Sequence, residues 1–181
     1  MIGFSHKPVM LEECMQGLNL HPGGIWYDGT IGGGGHSYEI LKRTSPDGRL
    51  IATDLDDNAI AAAKERLAQF GGRFEIYKSN YKEYERIFSL AGISEADGVL
   101  LDFGVSSFQL DEPARGFSYM QDAPLDMRMD PQGELTAEEV VNEYPERELY
   151  RIIRDYGEER FAKNIAAGIA AERKKEKIRS S

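Results

Sequence analysis

Four consecutive glycines, Gly32 to Gly35, lie within the stretch Asp28-Gly-Thr-Ile-Gly-Gly-Gly-Gly-His-Ser37 and have the spacing of a ligand-binding loop. Glycine lets the main chain approach another molecule closely and adopt positive φ, at an entropic cost on folding. Core packing does not by itself call for four such residues, so we expect this loop to bring its main chain against a ligand. Asp54 ends the next apolar run, about twenty residues farther on. An acidic residue there is typical of α/β proteins that hold the ribose of an adenosine-containing cofactor.

Three ligands are considered for this loop, with a purely structural glycine-rich turn as the alternative. A phosphate-binding P-loop requires a lysine after the last glycine, whereas His36 and Ser37 follow here. A dinucleotide site requires Gly-x-Gly-x-x-Gly, and Ser37 stands where the third glycine belongs. The pattern Asp-x-Gly-x-Gly-x-Gly, common in S-adenosylmethionine enzymes, fits with one departure, since Thr30 replaces its first glycine.

A second carboxylate and an aromatic ring follow later apolar runs. Asp102 is expected to face the reacting group, although a strand-end aspartate that caps a turn is a common alternative. Tyr81 is a candidate ring for stacking on adenine, with Ser79 and Asn80 as partners of the base edges; a plain core or surface aromatic is the alternative.

His36 has a simple predicted role, a hydrogen bond in a cap or turn, while the backbone around it lines the cofactor pocket. The other histidines are distant in sequence and no His/Asp cluster is visible, so we expect no metal site.

Alternating strands and helices must position these groups. We predict strands at residues 25–28, 49–53, 73–77 and 97–102. We predict helices at residues 8–18, 37–43, 57–70 and 81–91. The alternation predicts a parallel sheet with helices on both faces. In the expected strand order 3-2-1-4, Asp102 lies across the crevice from the glycine loop.

The remainder of the chain has a different sequence pattern. Residues 104–133 show no sustained period, and so long a stretch is more often functional than idle. From Leu135 onward the pattern is helical, with a capping box at Thr136-Ala-Glu-Glu139 and helices predicted at residues 145–156 and 158–177.

Composition excludes several classes of protein. The 181 residues are 41% hydrophobic and 29% charged, which indicates a soluble globular chain, and no apolar run approaches a membrane span. The N-terminus lacks the apolar core of a signal peptide, and the single cysteine, Cys14, fits a reducing cytoplasm. A net charge of −9 argues against broad non-specific nucleic-acid binding. Residues 160–181 nevertheless carry seven basic and two acidic side chains, which favours a solvated helix end over a contact for phosphates.

Seven segments together carry a resemblance to a known family. They are His6-Lys-Pro-Val-Met-Leu-Glu12, residues 28–37, Leu100-Leu-Asp-Phe-Gly-Val-Ser-Ser107, Gln109-Leu-Asp111, Arg115-Gly-Phe-Ser118, Leu125-Asp-Met-Arg-Met-Asp130 and Tyr156-Gly-Glu-Glu-Arg-Phe161. In this order, over essentially the whole chain, they resemble the bacterial 16S ribosomal RNA methyltransferases that modify the N4 amine of a decoding-centre cytidine. Phe108 and Tyr81 depart from the family, which often has proline and phenylalanine there.

The resemblance implies an α/β fold: a Rossmann-like class I methyltransferase sheet, of which the first four parallel strands are present, plus an all-helical insertion domain. The implied domains are a cofactor-binding domain at residues 1–105, a substrate-site loop at 106–133 and the helical insertion at 134–181. Family members are longer, so we expect the later strands to be missing, the fourth strand to be an edge and the activity of the fragment to be reduced.

The resemblance also implies the site. The expected S-adenosylmethionine contacts are Gly34, Gly35, His36, Asp54, Tyr81, Asp102 and Gln109. Asp102 is expected to position the reacting groups rather than act as a base. The target cytidine must be unpaired or extruded, and the loop 109–130 offers Arg115, Phe117, Tyr119 and Arg128 to hold it, unless that loop only closes the domain.

The expected partner is 16S rRNA or the small ribosomal subunit in the cytoplasm, with no membrane, and the exposed half-sheet makes a homodimer plausible. Two other functions stay open: a Rossmann-type nicotinamide oxidoreductase and a non-catalytic rRNA-binding assembly module.

Overall fold

The computed structural model describes residues 8–106, 109–110, 112–120 and 122–180. The chain divides into two compact units, one up to Ser106 and one from residue 107 onward. The predicted domain boundaries after residues 105 and 133 stay predictions. Among the described residues, no helix has the length and apolar character that crossing a membrane requires.

A four-stranded parallel sheet forms the first unit. Its strands are β1 (Ile25–Asp28), β2 (Arg49–Asp54), β3 (Phe74–Lys78) and β4 (Gly98–Leu100). They are arranged in the order β3-β2-β1-β4, so the predicted parallel sheet and strand order are confirmed. The strand β4 is shorter than predicted, because its ladder with β1 ends at the pair Asp28 and Leu100. Asp102 therefore lies two residues beyond the ladder.

Four α-helices of the described residues flank this sheet. They are α1 (Leu11–Gly17), α2 (Gly35–Arg43), α3 (Asp57–Leu67) and α4 (Tyr84–Ala91). Asp56 caps α3 by accepting a hydrogen bond from the main-chain N–H of Asn58 at 3.0 Å. The helix predicted to reach residue 70 ends earlier, in a 3-10 segment over Ala68–Arg73, where Gly71 adopts non-helical angles (φ 60°, ψ −137°).

Alternate residues of the strands face two separate apolar clusters. Trp26 and Leu50 pack with buried side chains of α1, α2 and α3 on one face. Tyr27 and Ile51, the next residue of each strand, pack with α4 on the other face. The predicted placement of helices on both faces is thus confirmed, and it leaves the carboxyl ends of the strands to form a site.

Three α-helices of the second unit lie wholly within the described residues. They are α5 (Ala137–Glu143), α6 (Glu146–Asp155) and α7 (Ala162–Glu172). The predicted capping box is confirmed: Thr136 Oγ1 accepts from the N–H of Glu139 at 3.2 Å, and the N–H of Thr136 donates to Glu139 Oε2 at 2.9 Å. The helices α6 and α7 pack against each other, with buried Leu149 on α6 and buried alanines along α7.

Candidate functional site

The glycine loop is hydrogen-bonded to the end of β2. The N–H of Ile31 donates to the carbonyl of Thr53 at 3.1 Å, and the N–H of Gly32 donates to Asp54 Oδ2 at 2.9 Å. Asp54 Oδ1 accepts a second main-chain N–H, from Asp56, at 3.0 Å. The half-buried Asp54 carboxylate is therefore held in one orientation at the rim of the loop.

The same loop is hydrogen-bonded on its other side to β4 and the residues that follow. The N–H of Gly29 donates to the carbonyl of Leu100 at 3.0 Å. The N–H of Asp102 donates to Thr30 Oγ1 at 2.7 Å. The loop thus spans the ends of the two strands that flank β1, at the point where the strand order reverses. Ligands of open α/β sheets bind in this crevice.

Beneath the loop lies a fully buried carboxylate. Asp28 is 1% exposed; its Oδ2 accepts from Ser37 Oγ at 2.6 Å and its Oδ1 accepts from the N–H of Thr30 at 3.1 Å. Burial raises the pKa of Asp28 to about 6, because the charged form loses its hydration, while both hydrogen bonds and nearby His36 act in the opposite direction. Ser37, which stands where a dinucleotide loop has its third glycine, thus links α2 to β1 by a hydrogen bond to Asp28.

The four glycines serve different purposes, and packing accounts for two of them. A Cβ on Gly34 would lie 3.2 Å from the Cα of Ala63, and one on Gly35 would lie 2.4 Å from Pro8 Cγ. Gly34 also has φ +74°, which disfavours other residues. A Cβ on exposed Gly33 would meet nothing within 4 Å among the described residues. The outer surface of the loop at Gly33 is therefore where its main chain is most open to a ligand.

His36 has a long-range structural contact that sequence reasoning did not foresee. Its buried ring places Nε2 2.9 Å from the carbonyl of Val9, which precedes α1. The side chain thus connects α2 to the segment before α1, rather than capping its own turn. That the backbone at His36 lines a cofactor pocket stays a prediction.

Tyr81 opens a 3-10 turn, Tyr81–Glu83, just after β3, and its side chain is 39% exposed. Its ring lies 5.5 Å from that of Phe103, which is 68% exposed. The two expected partners of the base edges are engaged elsewhere: Asn80 Oδ1 accepts the N–H of Lys82, and buried Ser79 accepts from Arg86. Sequence reasoning missed Phe103, although it directly follows Asp102.

Six of the seven predicted cofactor residues follow carboxyl ends of strands in the first unit. They are Gly34, Gly35 and His36 after β1, Asp54 at the end of β2, Tyr81 after β3 and Asp102 after β4. Gln109 belongs to the second unit, where it is 5% exposed. Its part in a cofactor site, like that of the other six, stays a prediction.

The loop that was expected to hold a base is fastened by its own guanidinium groups. Arg115 donates to the carbonyls of Arg128 and Met129 at 2.7 and 3.1 Å. Arg128 binds both carboxylate oxygens of Asp126 and donates to the carbonyl of Gly133 at 2.8 Å. These contacts favour the alternative of a packed loop, although Tyr119 on the same loop is 87% exposed.

The basic C-terminal segment is also engaged within its unit. Arg173 donates to the carbonyls of Val141 and Tyr144 at 2.8 and 2.7 Å, and so caps the end of α5. Lys177 lies 3.0 Å from Glu138, and Lys175, just beyond α7, pairs with Glu172 at the end of that helix. These three side chains support the structural interpretation over a contact for phosphates.

Comparison with known proteins gives a consistent family. The chain matches the model of the MraW methylase family over residues 3–181. It is 57% identical over 176 residues to "Ribosomal RNA small subunit methyltransferase H 2" of Agathobacter rectalis, covering 97% of this chain and 56% of that protein. It is 54% identical over 178 residues to "Ribosomal RNA small subunit methyltransferase H" of Lachnospira eligens, covering 98% and 56%. The chain thus spans about 56% of the length of these relatives.

One solved structure with a similar chain trace is the C-terminal domain of precorrin-6Y C5,15-methyltransferase from Rhodobacter capsulatus. It is 19% identical, has a TM-score of 0.45, and the match covers 66% of this chain and 60% of that chain.

Proposed function

The chain belongs to the MraW methylase family, and from that premise we propose that it binds S-adenosylmethionine as part of a methyltransferase for small-subunit ribosomal RNA. The finer proposal is transfer of the methyl group to the exocyclic N4 amine of a decoding-centre cytidine in 16S rRNA. The observation that carries the cofactor half is Asp54, a strand-end carboxylate fixed by two main-chain N–H groups beside an open glycine loop.

The residues present fit the nucleoside part of S-adenosylmethionine. Each oxygen of Asp54 accepts one main-chain N–H, and a carboxylate oxygen has a second lone pair that suits a ribose hydroxyl. Gly33 exposes the main chain of the loop, and the partly exposed ring of Tyr81 suits an adenine face. Family membership favours this cofactor over a nicotinamide, which leaves the oxidoreductase alternative without support.

When bound, the cofactor supplies a methyl group on a sulfonium together with a neutral thioether leaving group. The protein has to hold the amine in line with that methyl group and exclude water. The N4 lone pair of cytosine is delocalised into the ring, so an acceptor near the amine hydrogens favours the more nucleophilic geometry. We assign this positioning role to Asp102, which is exposed two residues beyond the end of β4.

The rRNA partner and the cellular setting are proposals of the same kind. A paired cytidine cannot present N4 in line with a methyl group, so the target base must be extruded or unpaired. We propose the cytoplasm as the compartment, because ribosomal RNA is there in bacteria. A homodimer is proposed because β4 is an edge of the described sheet and an edge strand can pair with another chain. A monomeric mass in sedimentation equilibrium would exclude the homodimer.

Calorimetry with S-adenosylmethionine on the 181-residue chain tests the cofactor half of the proposal. We expect saturable binding of one molecule per chain, competed by S-adenosylhomocysteine and not by NADH. A chain that is folded by circular dichroism and binds neither sulfur compound would contradict the assignment.

A methylation assay on purified small subunits tests the substrate half, with the full-length Agathobacter rectalis relative as the comparison protein. Mass spectrometry of the digested rRNA then locates the methyl group. Subunit binding that survives Asp54→Ala and Asp102→Ala, with no methyl transfer by the wild-type chain, would instead support the non-catalytic module.

A further inference from the structure

Thr30 is the one departure of this loop from the Asp-x-Gly-x-Gly-x-Gly pattern, and its hydroxyl has a specific contact. The residue is half-buried, and its Oγ1 accepts the main-chain N–H of Asp102 at 2.7 Å. A glycine at this position has no side chain and could not make the bond. The departure from the pattern therefore adds a connection between the glycine loop and the segment that follows β4.

This bond fixes a segment that the sheet itself does not hold. The ladder between β1 and β4 ends at Asp28 and Leu100, so main-chain pairing does not fix the residues that follow. The Thr30 hydroxyl contacts the chain two residues beyond that end. Because the bonded N–H belongs to Asp102 itself, the bond fixes the Cα that bears the carboxylate.

Thr30 is itself held from beneath the loop. Its main-chain N–H donates to Oδ1 of Asp28, which is buried and also accepts from Ser37 of α2. The hydroxyl acceptor at Thr30 is therefore attached to a rigid part of the sheet, so it can impose a position on the more exposed Asp102.

We propose that Thr30 is a positioning residue, whose hydroxyl holds the main chain at Asp102 and so fixes the position of the Asp102 carboxylate at the crevice. The inference rests on the proposed function, in which Asp102 contacts the cofactor or the reacting amine. In this proposal Thr30 acts through Asp102 and does not itself touch the reacting atoms. Its effect on binding must therefore be transmitted through Asp102, and this separates it from a residue that merely stabilises the fold.

The test is a double-mutant cycle on the full 181-residue chain, read by calorimetry with S-adenosylhomocysteine. Thr30→Val keeps the shape and removes the acceptor, and it is expected to weaken binding about fivefold, the size of one neutral hydrogen bond. Thr30→Ser keeps the hydroxyl and should bind within about twofold of wild type. In an Asp102→Ala background, adding Thr30→Val should weaken binding by less than a further factor of about two, because the carboxylate that Thr30 positions is already absent.

Thr44→Val is the matched control for loss of a threonine hydroxyl elsewhere. Thr44 is fully buried and its hydroxyl donates to the carbonyl of Ile40, so its loss should lower stability and leave the affinity unchanged. If Thr30→Val weakens binding as much in the Asp102→Ala background as in wild type, the positioning role is overturned and a structural one stands.

Amide hydrogen exchange provides a readout that does not depend on the cofactor. The Asp102 amide should exchange about tenfold faster in Thr30→Val than in wild type or Thr30→Ser, because its acceptor is lost. Equal exchange in all three proteins overturns the contact whether or not the cofactor binds. A wild-type chain that protects this amide but binds no S-adenosylhomocysteine contradicts the proposed function, and with it the purpose assigned to Thr30.

Discussion

The ends of β2 and β4 hold the same glycine loop in different ways. On the β2 side the carboxylate of Asp54 itself binds the loop, through the N–H of Gly32. On the β4 side the main-chain N–H of Asp102 is bound, and the bond is made by a side chain of the loop, Thr30. The side-chain acceptor thus lies on the strand in one case and on the loop in the other.

The difference follows from the places of the two strands in the sheet. The strand β2 is paired with β1 and β3, so its end is fixed and Asp54 needs no further support. The strand β4 has three residues and pairs with β1 alone in the described sheet, so the segment after it needs an external tie. An interior strand can present a rigid ligand group by itself, whereas an edge strand depends on its neighbour.

Alanine at each carboxylate is expected to produce the largest contrast. Asp54→Ala removes a charged acceptor of the loop and of the ribose, and should weaken S-adenosylhomocysteine binding roughly a thousandfold, about 4 kcal/mol. Asp102→Ala keeps its main-chain bond to Thr30, and should weaken binding only about tenfold. Calorimetry measures both, with Asp47→Ala in an exposed turn as the control. Equal losses of affinity at Asp54 and Asp102 would remove the distinction between the ends of β2 and β4.

The buried carboxyl of Asp28, beneath the glycine loop, predicts that stability depends on pH. The folded pKa of Asp28 is raised to about 6, above its ordinary value of 3.8, so the folded state binds this proton more tightly than the unfolded state. Its contribution to the free energy of unfolding is full below pH 3.8 and is lost as the pH rises through about 6, by about 3 kcal/mol in all.

Asp28→Asn removes this titration and can still accept from the N–H of Thr30. The stability of wild type relative to Asp28→Asn should therefore fall by about 2.4 kcal/mol between pH 4 and pH 7. Urea unfolding of both proteins across that range checks the sign. A difference that stays flat with pH would show that Asp28 ionises in the folded protein as easily as in the unfolded chain.

The smallest expected effects are those of alanine at Gly29, on the packed face of the loop, and at Gly33, on its open face. A Cβ on Gly29 would lie 2.8 Å from the Cβ of Tyr81 and 2.4 Å from Leu101 Cδ2. Gly29→Ala should cost about 2 kcal/mol of stability, because Tyr81 must shift. Gly33→Ala should stay within about 0.5 kcal/mol, because its Cβ meets open space.

Thermal unfolding compares Gly29→Ala and Gly33→Ala directly, and the binding assay completes the comparison. If Gly33 faces the cofactor, Gly33→Ala should weaken binding without loss of stability. Unchanged affinity in that variant would place the cofactor elsewhere on the loop.

Local sequence signals predicted much of the first unit. The bounds of β1 and the cap of α5 follow from adjacent residues, an apolar run before glycine and the pair Thr136 and Glu139. The strand order followed from alternation of strands and helices, and Asp54 from its spacing after the glycines. These features depend on residues close together in the chain, where propensity and pattern act.

Other features depended on residues distant in sequence. The early end of β4 reflects how far β1 extends beside it, and the contact of His36 reaches Val9, 27 residues away. Arg115 was offered as a group to hold the target base, with a packed loop as the alternative, and the segment with Arg173 was expected to be a solvated helix end. Both guanidinium groups bind main-chain carbonyls of their own unit. No local pattern reveals which acceptor a long side chain will reach.

The sequence by itself determined the order of the strands, the position of the glycine loop and the family to which the chain belongs. Only the tertiary structure decided what each residue of that loop does: Gly34 and Gly35 make room for Ala63 and Pro8, and Thr30 binds Asp102. The physical reason is that strand and turn formation depend on neighbouring residues, whereas steric room and hydrogen-bond partners are supplied by segments that meet only when the sheet has formed.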